Sequence, residues 1–249
     1  MYTRLMRWML NRVDGLIVIT HQLKELYAAM GMPAHRILVA PDGVDSRRLA
    51  HLFDQKEARQ KLQISLDRKV ICYTGHLFEW KGVYILAESV KYLPEECLIY
   101  IVGGMESDIQ ALQRFIAAQR LPNIVVTGHV SYGDVPLYLG AADVLVLPNV
   151  STVKISQEYT SPLKLFEYMG AQRPIVASDL PSLREILRHN ENAYLVQPDN
   201  PRLLAEGILQ VLHDRRLVER LINTAYIEVQ EYTWEKRATK IIAFFQGKR

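Results

Sequence analysis

The sequence predicts an α/β fold built on a doubly wound parallel sheet, and three observations predict it. Short apolar, β-branched runs recur along the chain, stretches of helical periodicity separate them, and few of the runs alternate apolar with polar residues. Continuous apolar runs indicate strands covered on both faces, as in parallel sheets whose crossovers are helices. In order, the runs are Leu16–Thr20, Ile37–Ala40, Val70–Thr74, Leu98–Val102, Ile124–Thr127, Val144–Leu147, Ile175–Ala177 and Ala193–Val196.

Each intervening segment has a physical reason to be helical or to turn. Met1 to Arg12 sets Arg4, Arg7 and Arg12 among Leu5, Met6, Trp8, Met9 and Leu10. It reads either as a helix packed on the sheet or as a basic amphipathic helix resting on an anionic membrane surface. It is not a secretory signal, because Arg7 interrupts the apolar core and no small-residue cleavage site follows. Pro41-Asp42-Gly43-Val44-Asp45 reads as a linker, with Asp42-Gly43 expected to form a tight turn of positive φ. Asp54 with Glu57 reads as a capping box before Ala58–Leu62. Asn200-Pro201 places a cap and a first-turn proline before Leu203–Leu212. After the last strand the chain runs only through helices. The expected organisation is residues 1–45 as a partial α/β unit plus linker, 46–230 as a complete α/β domain, and 231–249 as a terminal helix.

Composition excludes several function classes. Over 249 residues, 49% are hydrophobic and 23% charged, the balance of a soluble globular protein. The formal net charge is only +3, which gives no footprint for nucleic acid but suits a site that takes an anion. Two cysteines, Cys72 and Cys97, provide no disulfide framework and favour a reducing compartment. No apolar stretch approaches the ~18 residues of a membrane helix. No Gly-x-Gly-x-x-Gly follows a strand; Val102-Gly103-Gly104-Met105 does not fit that spacing, so a dinucleotide oxidoreductase is disfavoured. There is no P-loop, no Gly-x-Ser-x-Gly elbow and no histidine or cysteine pair at metal-ligand spacing.

Three motifs carry chemistry. Gly75-His76-Leu77-Phe78-Glu79-Trp80-Lys81-Gly82 directly follows the run Val70–Thr74, where ligands of open α/β sheets gather. Gly75 lets backbone approach a ligand closely, and Lys81 supplies a point charge suited to phosphate. The ordinary alternative is a strand-to-helix turn with a solvated lysine. In the second motif, Ser161-Pro162 reads as cap and first helical residue, leaving the N–H groups of Leu163, Lys164 and Leu165 free to hold an anion. Lys164 adds charge. Glu167, on the same face, can accept hydrogen bonds from both hydroxyls of a ribose; the ordinary alternative is an internal Lys164–Glu167 pair. The third motif, Thr127-Gly128-His129-Val130, sits at another strand end, where its backbone can meet a nucleobase edge.

Taken in order, these motifs resemble the C-terminal half of a retaining glycosyltransferase of the GT-B fold, family 4 (glycosyl transferases group 1). Pro41–Asp45, Ala142-Asp143-Val144-Leu145-Val146-Leu147-Pro148, Pro174-Ile175-Val176-Ala177-Ser178-Asp179 and Tyr232-Thr233-Trp234 extend the likeness over essentially the whole chain. The resemblance implies transfer of a hexose from a nucleotide-sugar to an acceptor hydroxyl with retained anomeric configuration, without metal or other cofactor. Lys81 would contact the donor diphosphate and Leu163 and Lys164 its phosphate end. Glu167 would bind the ribose, and Gly128 to Val130 would flank the base. It also implies a role in glycan biosynthesis and a cytoplasmic location, with the inner membrane face as the alternative site.

Three departures qualify the resemblance. His76 stands where the family's basic loop usually has arginine, which would make leaving-group stabilisation weaker or pH-dependent. The family's first glutamate falls on Tyr159; adjacent Glu158 takes that role only if the loop Asn149–Thr160 shifts by one residue. Only the last helix–strand–helix of the acceptor-binding domain is expected, in residues 1–40, so turnover would need an N-terminal-domain partner chain. Competing readings are a non-catalytic nucleotide-binding module, half of a nucleotide-sugar epimerase, and a membrane-associated scaffold using Met1–Arg12.

Overall fold

A computed structural model describes residues 2–49 and 53–247, apart from the side chains of Tyr2, Thr3 and Arg48. Met1, residues 50–52 and residues 248–249, which fall within the predicted segments, lie outside the described residues. Every predicted run forms a strand: β1 Leu16–Val18, β2 Ile37–Val39, β3 Lys69–Thr74, β4 Cys97–Val102, β5 Ile124–Gly128, β6 Val144–Leu147, β7 Ile175–Ser178 and β8 Tyr194–Val196. β1 and β2 pair in parallel as a two-stranded sheet, while the other six form one sheet in the order β5-β4-β3-β6-β7-β8. All its pairings are parallel.

The apolar runs are continuous because both faces of this sheet are buried. Cys72, Leu145 and Leu147 pack into one core with Leu165, Phe166, Met169 and Val229. Their chain neighbours Ile71, Tyr73, Val144 and Val146 point the other way, into a second core with Leu86, Leu112, Ile208 and Leu221. The period-2 geometry of a strand sends adjacent residues to opposite faces, so a strand covered on both must be apolar throughout.

Both predicted caps form. Asp54 accepts hydrogen bonds from the amides of Lys56 and Glu57 at the head of the Gln55–Lys61 helix. Asn200 accepts from Arg202 and Leu203, with Pro201 at the first helical position. Beneath the sheet, buried Arg59 donates to the Ala141 carbonyl at 2.9 Å and to the Asp143 carboxylate at 2.5 Å. Asp143 also accepts from the Val70 amide at 2.6 Å. This tie fixes β3 beside β6 at their amino-terminal ends, opposite the loops of interest.

The linker departs from expectation. Gly43 has no positive φ, and no tight turn forms there. A Cβ at this position would lie 2.7 Å from the Tyr232 carbonyl oxygen. Glycine is needed for close approach, because Val44 bridges to Thr233, donating to the Tyr232 carbonyl and accepting from the Trp234 amide. Thr233 caps the last helix, Trp234–Gln246, and Arg237 returns to the Ala40 and Pro41 carbonyls at 3.2 and 2.9 Å. The C-terminal helix therefore crosses back over the linker.

The segment before the linker carries its own small core of Leu10, Val18, Met32 and Ile37. Among the described side chains of its first helix, Tyr2–Leu10, Leu10 joins that core, while Leu5, Trp8 and Met9 stay exposed. Thr20 donates to the Glu158 carbonyl at 3.1 Å, and the Glu185 carboxylate receives the His21 amide at 2.7 Å. These bonds seat the His21–Ala29 helix against the loops at the top of the main sheet.

Candidate functional site

Strand order reverses between β3 and β6, which lie side by side although β4 and β5 intervene in sequence. The crevice beyond the carboxyl ends at such a switch point is where open α/β sheets place ligands. Here the loop leaving β3 and the segment leaving β6 face each other, and Trp80 accepts from the Val150 amide at 3.2 Å. Gly82, at φ +74°, lets the first loop lie directly on Pro148.

The helix Leu163–Gly170 begins one residue later than its sequence suggests. Pro162, not Ser161, is the capping residue, in an extended conformation and with no side-chain cap. The Ser161 hydroxyl is instead occupied by the Asp42 amide of the linker at 3.2 Å, a partner that local sequence does not reveal. The predicted consequence partly holds. The amides of Leu163 and Lys164 have no acceptor among the described residues, whereas that of Leu165 donates back to the Pro162 carbonyl at 2.9 Å. Two free donors and the positive end of the helix dipole open toward the crevice.

Lys164 is the unusual residue of this region. Its ammonium nitrogen is out of solvent and has no hydrogen-bond partner. It lies 3.6 Å from the centre of the Tyr73 ring. A Cβ on Gly75, whose φ is +118°, would come within 2.9 Å of it. Burial, then repulsion from Lys81, hold its pKa well below the ordinary lysine range. Glu167, one turn further on, opposes this shift through space but forms no hydrogen bond to the amine; its carboxylate receives the Tyr132 hydroxyl at 3.2 Å. The internal Lys164–Glu167 pair that would make this an ordinary capped helix is not the arrangement observed.

Lys81 is not a solvated surface lysine either. It ends a short turn, Glu79–Lys81, with its ammonium 3.8 Å from the centre of the Trp80 ring. Burial lowers its pKa to about 8. Two amines thus bear on one small region that offers few counter-charges, and a buried cation without a partner is costly unless an anion arrives.

The three strand-end glycines form a row. The Gly75 amide donates to the Val102 carbonyl at 2.8 Å, and the Gly103 amide to the Gly128 carbonyl at 2.9 Å. Gly75, Gly103 and Gly128 all have positive φ. Val130, two residues beyond this row, is half-buried against the core. Gly103 was legible only as a failed dinucleotide motif; its requirement is spatial, since a Cβ there would lie 2.6 Å from the Gly75 carbonyl oxygen.

The structure does not bring the other two candidates into this cluster. His76 is exposed and its ring stacks on Phe78, with centroids 5.1 Å apart; its carbonyl accepts from the Tyr73 hydroxyl at 2.5 Å. Glu158 ends the Lys154–Gln157 helix. Its carbonyl is taken by Thr20, and its carboxylate, beside Tyr159, raises the pKa of that hydroxyl. Sequence reasoning missed Tyr73, the ring beneath Lys164, and Tyr132, the hydroxyl above Glu167. Tyr73 hides inside an apolar strand and Tyr132 inside an unremarkable loop, so no local pattern marked either.

Fold and site together define an α/β protein with two desolvated lysines and a helix start at the switch point of a parallel sheet. Residues 54–228 match the profile of the family described as glycosyl transferases group 1, and the chain belongs to that family. It is 25% identical over 239 residues to an uncharacterised glycosyltransferase of Methanocaldococcus jannaschii, covering 92% of this chain and 59% of the relative. It is 29% identical over 245 residues to a D-inositol 3-phosphate glycosyltransferase of Jonesia denitrificans, covering 92% and 55%. Among solved structures, Anabaena Alr3699/HepE in complex with UDP and glucose superposes with a TM-score of 0.83. It is 19% identical, covering 98% of this chain and 67% of that one. The chain thus spans little more than half the length of the curated relatives it matches.

Proposed function

We propose that the chain is the donor-binding half of a glycosyltransferase and that its crevice binds a nucleotide-sugar. The observation that carries this reading is the unpartnered Lys164 ammonium beside the free amides of Leu163 and Lys164, with Gly75 opposite. A diphosphate supplies the charge and acceptors these groups lack. Glu167 then lies one helical turn deeper, placed to receive ribose hydroxyls, and the Gly128–Val130 backbone to border the base.

Chemically, the arrangement stabilises charge that develops on a departing nucleoside diphosphate. Preorganised donors in a site shielded from water act most strongly where charge appears in the transition state. Lys81, Lys164 and the helix start supply this without a metal ion. Hexose transfer with retained configuration, a metal-independent mechanism and glycan biosynthesis follow from the family resemblance. The acceptor side is proposed to come from an N-terminal domain, in a preceding segment or a partner chain, so the purified chain alone turns over weakly or not at all. Among the described residues no helix is long and apolar enough to cross a membrane; a cytoplasmic location, with contact to the inner membrane face through the Tyr2–Leu10 helix as an addition, is part of the same proposal.

Glu167→Ala tests the orientation of the donor. Loss of a hydrogen bond to a charged group costs about 1.5–3 kcal/mol, so nucleotide-sugar affinity should fall roughly 10- to 150-fold. Affinity for inorganic pyrophosphate, which has no ribose, should change far less, since only the through-space effect of Glu167 on Lys164 is lost. Calorimetry against UDP-, GDP- and ADP-sugars measures both, and equal loss for sugar nucleotide and pyrophosphate would reject the ribose assignment.

A further inference from the structure

Lys164 Nζ lies out of solvent without a hydrogen-bond partner, 3.6 Å from the centre of the Tyr73 ring. The groups that act on Lys164 can be named from each side. From β3, the Cys72 thiol is pushed by burial to about 12 and stays neutral, and the Tyr73 ring presents its face at 3.6 Å, a weak attraction that is not a counter-charge. Tyr168, buried on the same helix, has its hydroxyl engaged by the Thr74 amide at 2.8 Å. From the loop after β3 comes Lys81, a like charge. Glu167 is the carboxylate that acts on Lys164, and it already receives Tyr132.

We propose that Lys164 takes up a proton from solvent when a nucleotide-sugar enters, so that donor binding at this site is a proton-coupled event governed by the Lys81–Lys164 pair. This rests on the donor-site reading. In the empty crevice the buried Lys164 Nζ has no hydrogen-bond partner, and burial favours its neutral amine. On binding, a protonated buffer molecule or water gives its proton to Nζ, forming an N–H bond, while the diphosphate, already fully ionised, changes its charge by nothing. The site gains one positive charge as it gains the ligand.

The sign follows from linkage. The occupied site holds the proton more tightly than the empty one, so affinity is greatest below the empty-site titration and weakens as pH rises through the window above it. Each proton taken up weakens binding by up to about tenfold per pH unit. The same coupling expels the proton as nucleoside diphosphate leaves, so alkaline conditions favour release.

The test is calorimetric titration of the chain with UDP-, GDP- and ADP-sugars near pH 8, where Lys81 titrates, in two buffers of different ionisation enthalpy. The expected result is a buffer-dependent heat corresponding to net proton uptake, most of it lost in Lys164→Met. If that variant binds too weakly to titrate, Lys164→Arg makes the distinction. A guanidinium stays charged throughout, so its binding should persist with the buffer-dependent heat reduced to the share that Lys81 contributes in the same range. Wild-type binding with buffer-independent heat overturns proton coupling and leaves the donor site standing. Uptake undiminished in Lys164→Met or Lys164→Arg overturns the assignment to Lys164. Absence of binding by every nucleotide-sugar overturns both the coupling and the donor-site reading.

Discussion

Gly82→Ala is expected to destabilise the protein by about 5 kcal/mol, in the range reserved for substitutions that force backbone apart. Two costs combine. The residue has φ +74° and ψ 21°, a left-handed conformation that costs an L side chain roughly 1–2 kcal/mol. The added Cβ would also lie 1.8 Å from the Pro148 carbonyl oxygen and 2.6 Å from its carbon. Both atoms are backbone and cannot swing away. Relief would require the loop after β3 to lift off the segment after β6, and these two segments form the crevice. Gly128→Ala is the matched control: its φ is +76°, but the new Cβ meets only the Ile109 terminal methyl at 3.5 Å. That variant should lose only the conformational term. For a chain of this size about 1 kcal/mol corresponds to roughly 2–4 °C, so thermal melting should separate the two by about 10 °C. Equal melting temperatures would show that the loops do not press together as described.

This contrast also marks where the sequence speaks and where it is silent. The strands were legible because a parallel sheet buries both faces, so apolar runs needed no periodicity to stand out. The caps at Asp54 and Asn200 were legible because side chain and amide belong to the same few residues. Gly43 was not: its sequence context suggests a turn, whereas its actual constraint is the Tyr232 backbone, far along the chain. The helix start failed for the same reason, since the Ser161 hydroxyl is taken by Asp42 and Pro162 caps in its place. In the crevice, Lys81, Lys164 and Glu167 were found as motif members. That Lys164 is dry, unpartnered and stacked on Tyr73 depends on three segments meeting, which no local reading supplies. His76 and Glu158 were singled out by resemblance to a family pattern, and their side chains engage Phe78 and Tyr159 instead of the two lysines.

Lys164→Met is expected to have opposite effects on the empty and the occupied protein. Without ligand, the substitution removes a buried polar atom with no partner, whose desolvation costs about 1–3 kcal/mol. Methionine fills similar space and suits the apolar surroundings of Tyr73. The variant should therefore melt about 2–10 °C higher than the parent. Removing Lys164 and Lys81 together deletes two charge-assisted contacts of about 1.5–3 kcal/mol each, weakening nucleotide-sugar binding by roughly two to four orders of magnitude. Melting curves with and without nucleotide-sugar read both effects, since a ligand that binds only the native state raises stability in proportion to its affinity. pH supplies an independent check. An amine whose folded pKa is depressed destabilises the fold while the unfolded chain binds more protons, so the empty wild type should gain stability as pH rises from about 8, where Lys81 titrates, toward the ordinary lysine range. Removing Lys164 should reduce that gain. A variant that melts lower and still responds to nucleotide-sugar would mean that the amine is a packing element of the helix start. A higher melting point with a weakened ligand response is what a site kept strained for function must show, because the native sequence gives up stability at that position only where an anion recovers it.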